Sequence, residues 1–373
     1  MAKTSLVHNT ASNAHSSSNK VTSNKRNAKS TQNKHISPKP RNIQSDGMVA
    51  LNRSFKTKGF SRRVRDLLSA SWRLGTQKDY ASKFKKFNSW CSERQKDPYT
   101  VTLVDCAEFL THLYHTGLQY RTISGYRSML SSVLPPIDKF SVGQHPYIIR
   151  LLKGVFNSRP PITRLLPEWN LQKVLDMLQK PPFEPLRDAS LKYVTYKTIF
   201  LAAITTFRRC SDLQSLKIGE GNVSVQSRGI LFLRQGLSKQ DRPSHFGTKI
   251  FVPSFPDNKK LDPKRAFAVY LKLTEKYRKK GENDETNLFL SFIEPHKPVS
   301  KQTVAKWIVS TIKLAYEGHI QVRAHSTRAL GPSWALFKGA NMTSILEAAD
   351  WSRESTFIKF YLRDVKTHSL IQD

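Results

Sequence analysis

The side chains best suited to chemistry lie in three short segments of the C-terminal half. Arg209 begins the motif RCSDL at the end of an apolar segment, His325 and Arg328 form an H-x-x-R pair, and Trp351 precedes Tyr361. Guanidinium groups bind phosphate or carboxylate through paired hydrogen bonds, an imidazole can transfer a proton, and a phenol can act as a nucleophile. Taken one at a time, these residues also fit ordinary roles, such as an arginine at a helix C-terminus or a tyrosine in the core.

Hydrophobic periodicity predicts the elements that hold these side chains. A long apolar helix near 189–207 ends at the RCSDL motif, and later helices carry the H-x-x-R pair and the tyrosine. Three short apolar segments, with a polar loop at 235–248 between the last two, predict a small antiparallel sheet with an irregular hairpin tip. The predicted helices of this half lie at 170–179, 189–207, 263–279, 300–316, 325–338, 342–349 and 353–363, and the strands at 222–225, 230–233 and 249–253.

The upstream half predicts a separate helical domain. Aromatic and aliphatic side chains at helical spacing indicate four helices that start near 76, 102, 121 and 146. The chain therefore divides into a disordered basic tail at 1–60, a helical bundle at 61–158, a proline-containing linker at 159–168 and a C-terminal domain at 169–373. The tail is rich in Ser, Asn and Lys and has no aromatic residue before Phe55, which predicts disorder. The fold class is mainly α with one small antiparallel β-sheet (α+β).

The charge balance narrows the choice of partner. The 373 residues include 61 Lys and Arg against 28 Asp and Glu, a net charge of +33, which favours a polyanion and nucleic acid first. The longest apolar run, 199–204, is too short to span a bilayer, and no apolar signal-peptide core follows Met1. The three cysteines form no C-x-x-C pair, and no Cys/His cluster has ligand spacing. This predicts reduced thiols in an intracellular protein, no membrane association and no metal site.

The order and spacing of the motifs resemble the tyrosine recombinases of the phage-integrase superfamily, across residues 62–365. That family ends a helix with Arg-x-Ser-Glu-Leu, places a lysine on a β-hairpin, and continues with His-x-x-Arg, a His or Trp, and a final tyrosine. The matching residues here are Arg209, Lys239, His325, Arg328, Trp351 and Tyr361. Lys249 competes with Lys239 for the hairpin position. The resemblance implies a core-binding bundle and a catalytic domain. The motifs around His325 and Tyr361 look like those of eukaryotic tyrosine-recombinase retrotransposons or related mobile elements.

The resemblance implies site-specific DNA recombination, for the integration or excision of a mobile element. Tyr361 attacks a phosphodiester, so that a 3′-phosphotyrosine bond forms and a 5′-hydroxyl leaves, and a second hydroxyl later reseals the strand. Arg209 and Arg328 are expected to stabilise the negative charge of the phosphorane. His325 is expected to hydrogen-bond the phosphate or accept the tyrosine proton, and Lys239 to protonate the leaving oxygen.

Two further residues have expected roles in the same site. The indole N–H of Trp351 can hold a phosphate oxygen but cannot act as a base. Asp212 is expected to orient Arg209 through a salt bridge. No metal, ATP or small-molecule cofactor is expected, because the cations supply charge stabilisation and the covalent link stores the bond energy.

Double-stranded DNA is the expected partner, bound mostly through its phosphates by two basic domains. Self-association on the DNA, as a tetramer, is implied by the resemblance, and the basic tail together with the look of a eukaryotic element favours the nucleus. Each candidate contact in the bundle also fits a solvated helix face. These candidate DNA-binding residues are Lys83, Lys85, Lys86, Arg121 and Arg127.

Three other functions are consistent with part of these observations. A non-catalytic DNA-binding protein derived from such a recombinase would keep the fold, but it predicts decay of the catalytic residues, which are all present. A type IB topoisomerase shares the nicking and resealing chemistry, but the separate bundle argues against it. A basic RNA- or chromatin-binding scaffold explains the charge and not the ordered motifs.

Overall fold

The computed structural model describes residues 47–161, 169–278 and 285–363, and the chain divides into two compact units, Met1–Ile162 and Thr163–Asp373. Each unit has a hydrophobic core of its own. Most of the predicted basic tail, residues 1–46, lies outside the described residues, as does the second part of the predicted linker, residues 162–168.

The first unit is a bundle of helices around an aromatic core. Its elements are α1 (Gly47–Thr57), α2 (Arg62–Ala70), α3 (Leu74–Ser92), α4 (Leu103–His115), α5 (Tyr120–Val133), a 3₁₀ turn at Val142–Gln144 and α6 (Pro146–Ser158). Phe84 and Phe87 recur on one face of α3, and the ring centroids of Phe87 and Phe109 lie 4.9 Å apart across α3 and α4. Thr102 and Asp105 form the capping box that starts α4.

Helix α1 corrects the prediction of disorder for residues 47–57. Leu51 is buried, and Phe55, four residues later, packs against the same core. Two apolar side chains one turn apart give the segment a face to bury against α3 and α5. The average composition of the tail hides this pair, because the residues before it are almost all polar.

The second unit joins a helical core to a three-stranded sheet. Its elements are α7 (Leu171–Leu178), α8 (Leu191–Thr206), α9 (Cys210–Gln214), β1 (Val223–Gln226), β2 (Gly229–Leu233), β3 (Lys249–Pro253), α10 (Pro263–Thr274), α11 (Lys301–Leu314), α12 (Thr327–Phe337), α13 (Met342–Ala349) and α14 (Glu354–Phe360). Shorter 3₁₀ turns cover Pro256–Asn258, Glu275–Tyr277 and Ala324–Ser326. The sheet is antiparallel in the order β1-β2-β3, with Ile230 opposite Val225 on one side and Val252 on the other. The predicted fold class is therefore confirmed.

Helix α8 is the centre of the second unit, and it packs against α10, α11, α12 and β3. It is buried on every side, and its buried threonines donate to carbonyls one turn back, as Thr198 does to Val194 at 2.8 Å. Gly331 of α12 allows the close approach of these helices, because a Cβ there would lie 2.8 Å from the carbonyl oxygen of Ile204. The helix ends where Phe207 adopts a left-handed conformation, at φ 53°.

Residues 287–290, predicted as a short strand or a buried connection, form the connection. Leu288, Phe289 and Leu290 are buried, and isolated bridges join Asn287 to Lys217 and Leu290 to Pro298. Across the described ranges, no helix combines the length and the apolar character needed to cross a membrane.

Candidate active site

The two motif arginines come together at the end of α8. Arg209 follows the left-handed turn at Phe207, and Arg328 lies in the first turn of α12 with only 1% of its surface exposed. Arg328 donates from Nη1 to the carbonyl of Phe207 and from Nη2 to the carbonyl of Ala349, at 2.8 Å for the latter. The turn that ends α8 therefore both presents Arg209 and orients Arg328.

The neighbouring arginine, Arg208, has a different environment. Its guanidinium is buried, lies 3.0 Å from the Asp350 carboxylate and donates to the carbonyl of Lys249 at 3.0 Å. Arg209 is half-buried and lines a cavity of about 390 Å³ together with Arg208, His325 and Arg328. Its Nη1 donates to the neutral amide of Gln240 rather than pairing with a carboxylate of the described residues. The geometry supports the assignment of Arg209, rather than Arg208, as the anion-binding arginine.

The aromatic residues stack beside Arg328. The rings of Trp351 and Tyr361 are 4.6 Å apart at 29°, and the His325 ring meets Tyr361 edge-on at 5.7 Å. The guanidinium of Arg328 lies 4.7 Å from the Trp351 ring centroid and 5.6 Å from that of Tyr361. The phenol of Tyr361 therefore contacts both the imidazole of His325 and the guanidinium of Arg328.

Trp351 carries a buried donor. Its side chain is 3% exposed, and its indole Nε1 has no hydrogen-bond partner among the described residues. A buried N–H without an acceptor lowers the stability of the folded protein. A bound ligand that supplies the acceptor would explain why Trp351 keeps this group.

Burial and the neighbouring positive charges both lower the pKa of His325. The imidazole is accessible at the cavity edge, yet partial loss of hydration lowers its pKa, and the charges of Arg328, Arg209 and Lys239 lower it further. His325 is therefore neutral near pH 7 and free to accept a proton.

The surroundings of Arg328 lower the pKa of its guanidinium. Burial lowers its pKa, the charge of Arg209 lowers it further, and the nearby Tyr361 opposes both. Arginine remains charged at neutral pH despite such a shift. The site thus holds two like charges that a bound anion would relieve.

Lys239 lies on the exposed hairpin loop, and its charge is close enough to act on His325. The loop is anchored by a buried ion pair between Arg234 and Asp241, at 2.6 Å, and by Ser238, which donates to Asp241. Lys249 is also exposed, but it is not among the charges that shift the pKa of His325. The electrostatic effect on His325 therefore favours Lys239 over its competitor.

The role predicted for Asp212 needs correction. Among the described residues no ion pair joins Asp212 to Arg209; the Asp212 carboxylate accepts a hydrogen bond from the backbone N–H of Arg209 at 3.2 Å. Asp212 sits at the third position of α9, where a carboxylate reaches back to the uncapped N–H at the start of the helix more readily than to a side chain that points into the cavity.

Two residues that no motif marks hold the arginines of this region. Gln240 accepts hydrogen bonds from both Arg209 and Arg328. Asp350 forms an ion pair with Arg208 and accepts a hydrogen bond from His245 at 2.9 Å. Gly247 permits this docking, since a Cβ there would lie 2.2 Å from an oxygen of Asp350. No local signal marks either residue, because their partners lie 31 to 142 positions away in the chain.

The candidate DNA-binding residues of the first unit differ in availability. Lys85, Lys86 and Arg121 are exposed and Arg127 is half-buried. Lys83 forms an ion pair with Asp79 one turn earlier in α3. Lys83 is therefore the weakest of the five candidates.

Comparison with known proteins defines the class of fold. No protein-family model matches the chain, and no curated protein matches it in sequence. Among solved structures, the chain is similar to the Tn1549 transposon integrase in complex with transposon right end DNA, at 14% identity over 86% of this chain and 95% of that chain, with a TM-score of 0.52. It is also similar to the XerH site-specific recombinase bound to a palindromic difH substrate, at 15% identity over 85% and 93% of the two chains, with a TM-score of 0.51. The chain has the tyrosine-recombinase fold, and the fold implied by the motifs is confirmed.

Proposed function

We propose that this protein is a site-specific DNA recombinase that cleaves and rejoins strands through a 3′-phosphotyrosine intermediate. The observation that carries the proposal is the stacking of Tyr361 on Trp351, beside His325 and Arg328. The residues come from four elements that are distant in sequence, and each is one that the motif order selects.

The chemistry follows from the positions of these groups. The Tyr361 oxygen attacks the scissile phosphorus while His325, neutral at pH 7, takes the phenolic proton. The bond from phosphorus to the 5′-oxygen breaks, and Lys239 gives that oxygen a proton. A 5′-hydroxyl of the same or another strand then attacks the phosphotyrosine. A phosphodiester bond forms, the bond from phosphorus to the Tyr361 oxygen breaks, and the hydroxyl proton returns to the phenolate, so the number of phosphodiester bonds is conserved.

The arginines and the tryptophan stabilise the phosphorane. Arg209 and Arg328 carry the charge that the transition state requires, and the buried N–H of Trp351 supplies a further donor. The covalent link stores the energy of the broken bond, so that resealing needs no nucleotide. We therefore propose a reaction that requires neither metal nor ATP.

The remaining parts of the proposal concern partners and context. The net charge of +33 supports binding to duplex DNA, with residues 61–158 as a core-binding domain and residues 169–373 as the catalytic domain. The structural neighbours include a transposon integrase in complex with transposon right end DNA, which supports a role in a mobile element. Tetramer assembly on DNA and a nuclear location belong to the same proposal.

The test is covalent trapping. The protein is mixed with labelled supercoiled DNA that carries many random sequences, without metal or nucleotide, and the reaction is quenched with SDS. We expect DNA-linked protein from the wild type and none from Tyr361→Phe. Tyr147→Phe is the control, because Tyr147 is an exposed phenol of the first unit, 71% accessible.

The products separate the neighbouring functions. Sequencing of the attached ends gives the target site, and joined products from two DNA molecules indicate strand exchange. Relaxation without exchange indicates topoisomerase-like nicking and resealing. Salt-sensitive binding without any adduct, on DNA that contains the bound sequence, would contradict the catalytic proposal.

A further inference from the structure

The side chain of Gln240 lies between the two motif arginines. Its Oε1 accepts a hydrogen bond from Nη1 of Arg209 at 3.0 Å and another from Nη2 of Arg328 at 3.2 Å. Gln240 follows Lys239 on the loop between β2 and β3. One neutral oxygen thus satisfies donors of both guanidiniums at once.

That oxygen occupies the position that an anionic ligand of the two arginines needs. Nη1 of Arg328 donates to the carbonyl of Phe207, Nη2 donates also to that of Ala349, and the buried Nε has no partner among the described residues. The oxygen of Gln240 is the acceptor that Arg328 shares with Arg209. A phosphate oxygen bound by both arginines must lie within hydrogen-bond distance of both, as the amide oxygen does now.

Gln240 can leave this position by side-chain rotation alone. Its backbone N–H donates to the hydroxyl of Ser238 at 3.2 Å, and Ser238 is tied to the buried Asp241. The backbone is therefore held, while the residue is only half-buried.

We propose that Gln240 is a displaceable occupant of the phosphate site: it holds Arg209 and Arg328 together in the DNA-free protein and gives way to a non-bridging phosphate oxygen. This inference rests on the proposed function, because it takes phosphodiester as the ligand. A charged acceptor displaces a neutral one favourably, since hydrogen bonds to an anion are about twice as strong as neutral ones.

The test compares two near-isosteric variants. Gln240→Glu places a carboxylate between the arginines, and phosphate should displace that carboxylate poorly. Gln240→Met removes the hydrogen-bond acceptor. Gln235→Glu is the control, because it adds the same charge to an exposed position of the same loop, where the Gln235 amide contacts Asn222. Gln240→Ala repeats the removal of the acceptor if the methionine variant folds poorly.

The first readout is independent of DNA. Inorganic phosphate is titrated against chloride at constant ionic strength, and the imidazole resonance of His325, assigned by its loss in His325→Gln, is followed by NMR. We expect phosphate to bind about tenfold more weakly to Gln240→Glu than to the wild type, and at least as tightly to Gln240→Met, because an intramolecular carboxylate competes with the anion and a thioether does not. Gln235→Glu should match the wild type.

The second readout is the rate of covalent trapping on DNA, where Gln240→Glu should be slow and Gln240→Met active. Equal loss of phosphate binding in Gln240→Met and Gln240→Glu would overturn the proposal, because it would make Gln240 a required support. Equal binding in all variants would do so as well. If the variants rank in phosphate affinity as expected but no protein forms a DNA adduct, the role of Gln240 is supported and the recombinase function is contradicted. If adducts form but the variants do not rank in that order, the recombinase function is supported and the role of Gln240 is contradicted.

Discussion

The two units of the chain bury charge in different ways. In the described part of the first unit, the buried carboxylate of Asp105 pairs with Lys96 and caps α4. The second unit buries several cations, among them Arg234 and Arg328. A buried charge costs several kcal/mol unless partners compensate it, so the second unit must have a reason to hold so many.

The reason differs between two buried arginines of the second unit. Arg234 pairs with the Asp241 carboxylate at 2.6 Å, both side chains being 1% exposed. Arg328 has no ion pair with a carboxylate among the described residues; it contacts two carbonyls and the neutral amide of Gln240, and it lies near a second cation. The first arginine is electrically compensated and holds the loop, whereas the second leaves positive charge for a ligand.

Removal of Arg234 should produce the largest change in stability. Arg234→Met takes the cation away from buried Asp241, and we expect a loss of about 3–5 kcal/mol in the free energy of unfolding, measured by urea denaturation. The exposed Arg228 is the control, and Arg228→Met should cost less than about 0.5 kcal/mol. A loss for Arg234→Met no larger than that of the control would break the distinction between the two arginines.

The pH dependence of that loss has a definite sign. Burial raises the pKa of Asp241, but hydrogen bonds from Ser238 and Arg234 outweigh it and hold the pKa below the ordinary 3.8. The wild type therefore has this stabilisation in full above pH 3.8 and loses it as the pH falls through the lower folded-state pKa. The difference between wild type and Arg234→Met should shrink in that acid range.

Replacement of Arg328 should affect catalysis more than stability. Arg328→Lys keeps a positive charge but loses the planar fork, and we expect the rate of covalent trapping to fall about 10²–10³-fold, the usual cost of losing one transition-state donor. Arg323→Lys, at an exposed position shortly before α12, should leave the rate unchanged. Equal rates for Arg328→Lys and the wild type would show that the uncompensated charge has another purpose.

Trp351 offers a matched pair with Trp90 of the first unit. Both indole N–H groups are buried without a partner among the described residues, but only Trp351 contacts Tyr361. Trp351→Phe should slow trapping about tenfold through loss of one hydrogen bond to the phosphate, whereas Trp90→Phe should leave the rate unchanged. If both variants slow the reaction equally, the effect is one of packing and the donor role is wrong.

The sequence predicted the helices, the sheet and the catalytic candidates because those signals are local. Periodicity defines α8 and α12, and the motif order selects Arg209 over Arg208 before any contact is known. The contacts of Gln240 and Asp350 were not predictable, because each depends on a turn, a loop and a helix that meet only in the folded chain. The role of Asp212 was also not predictable from local sequence. A carboxylate three residues after Arg209 can either pair with the Arg209 side chain or cap its backbone N–H, and the spacing is the same in both cases.

The smallest expected effect tests which lysine belongs to the site. Lys239 lowers the pKa of His325 after burial, Arg328 and Arg209. Lys239→Gln should therefore raise the pKa of His325 toward its ordinary 6.5, measured by NMR titration of the imidazole, while Lys249→Gln should leave it in place. Because the folded-state pKa lies below the unfolded one, the wild type loses stability as the pH falls below 6.5, and the Lys239 variant should lose less. A shift caused by Lys249→Gln instead would move the proton-donor role to that residue, since the group that protonates the leaving oxygen must lie where its charge reaches the same phosphate site as His325.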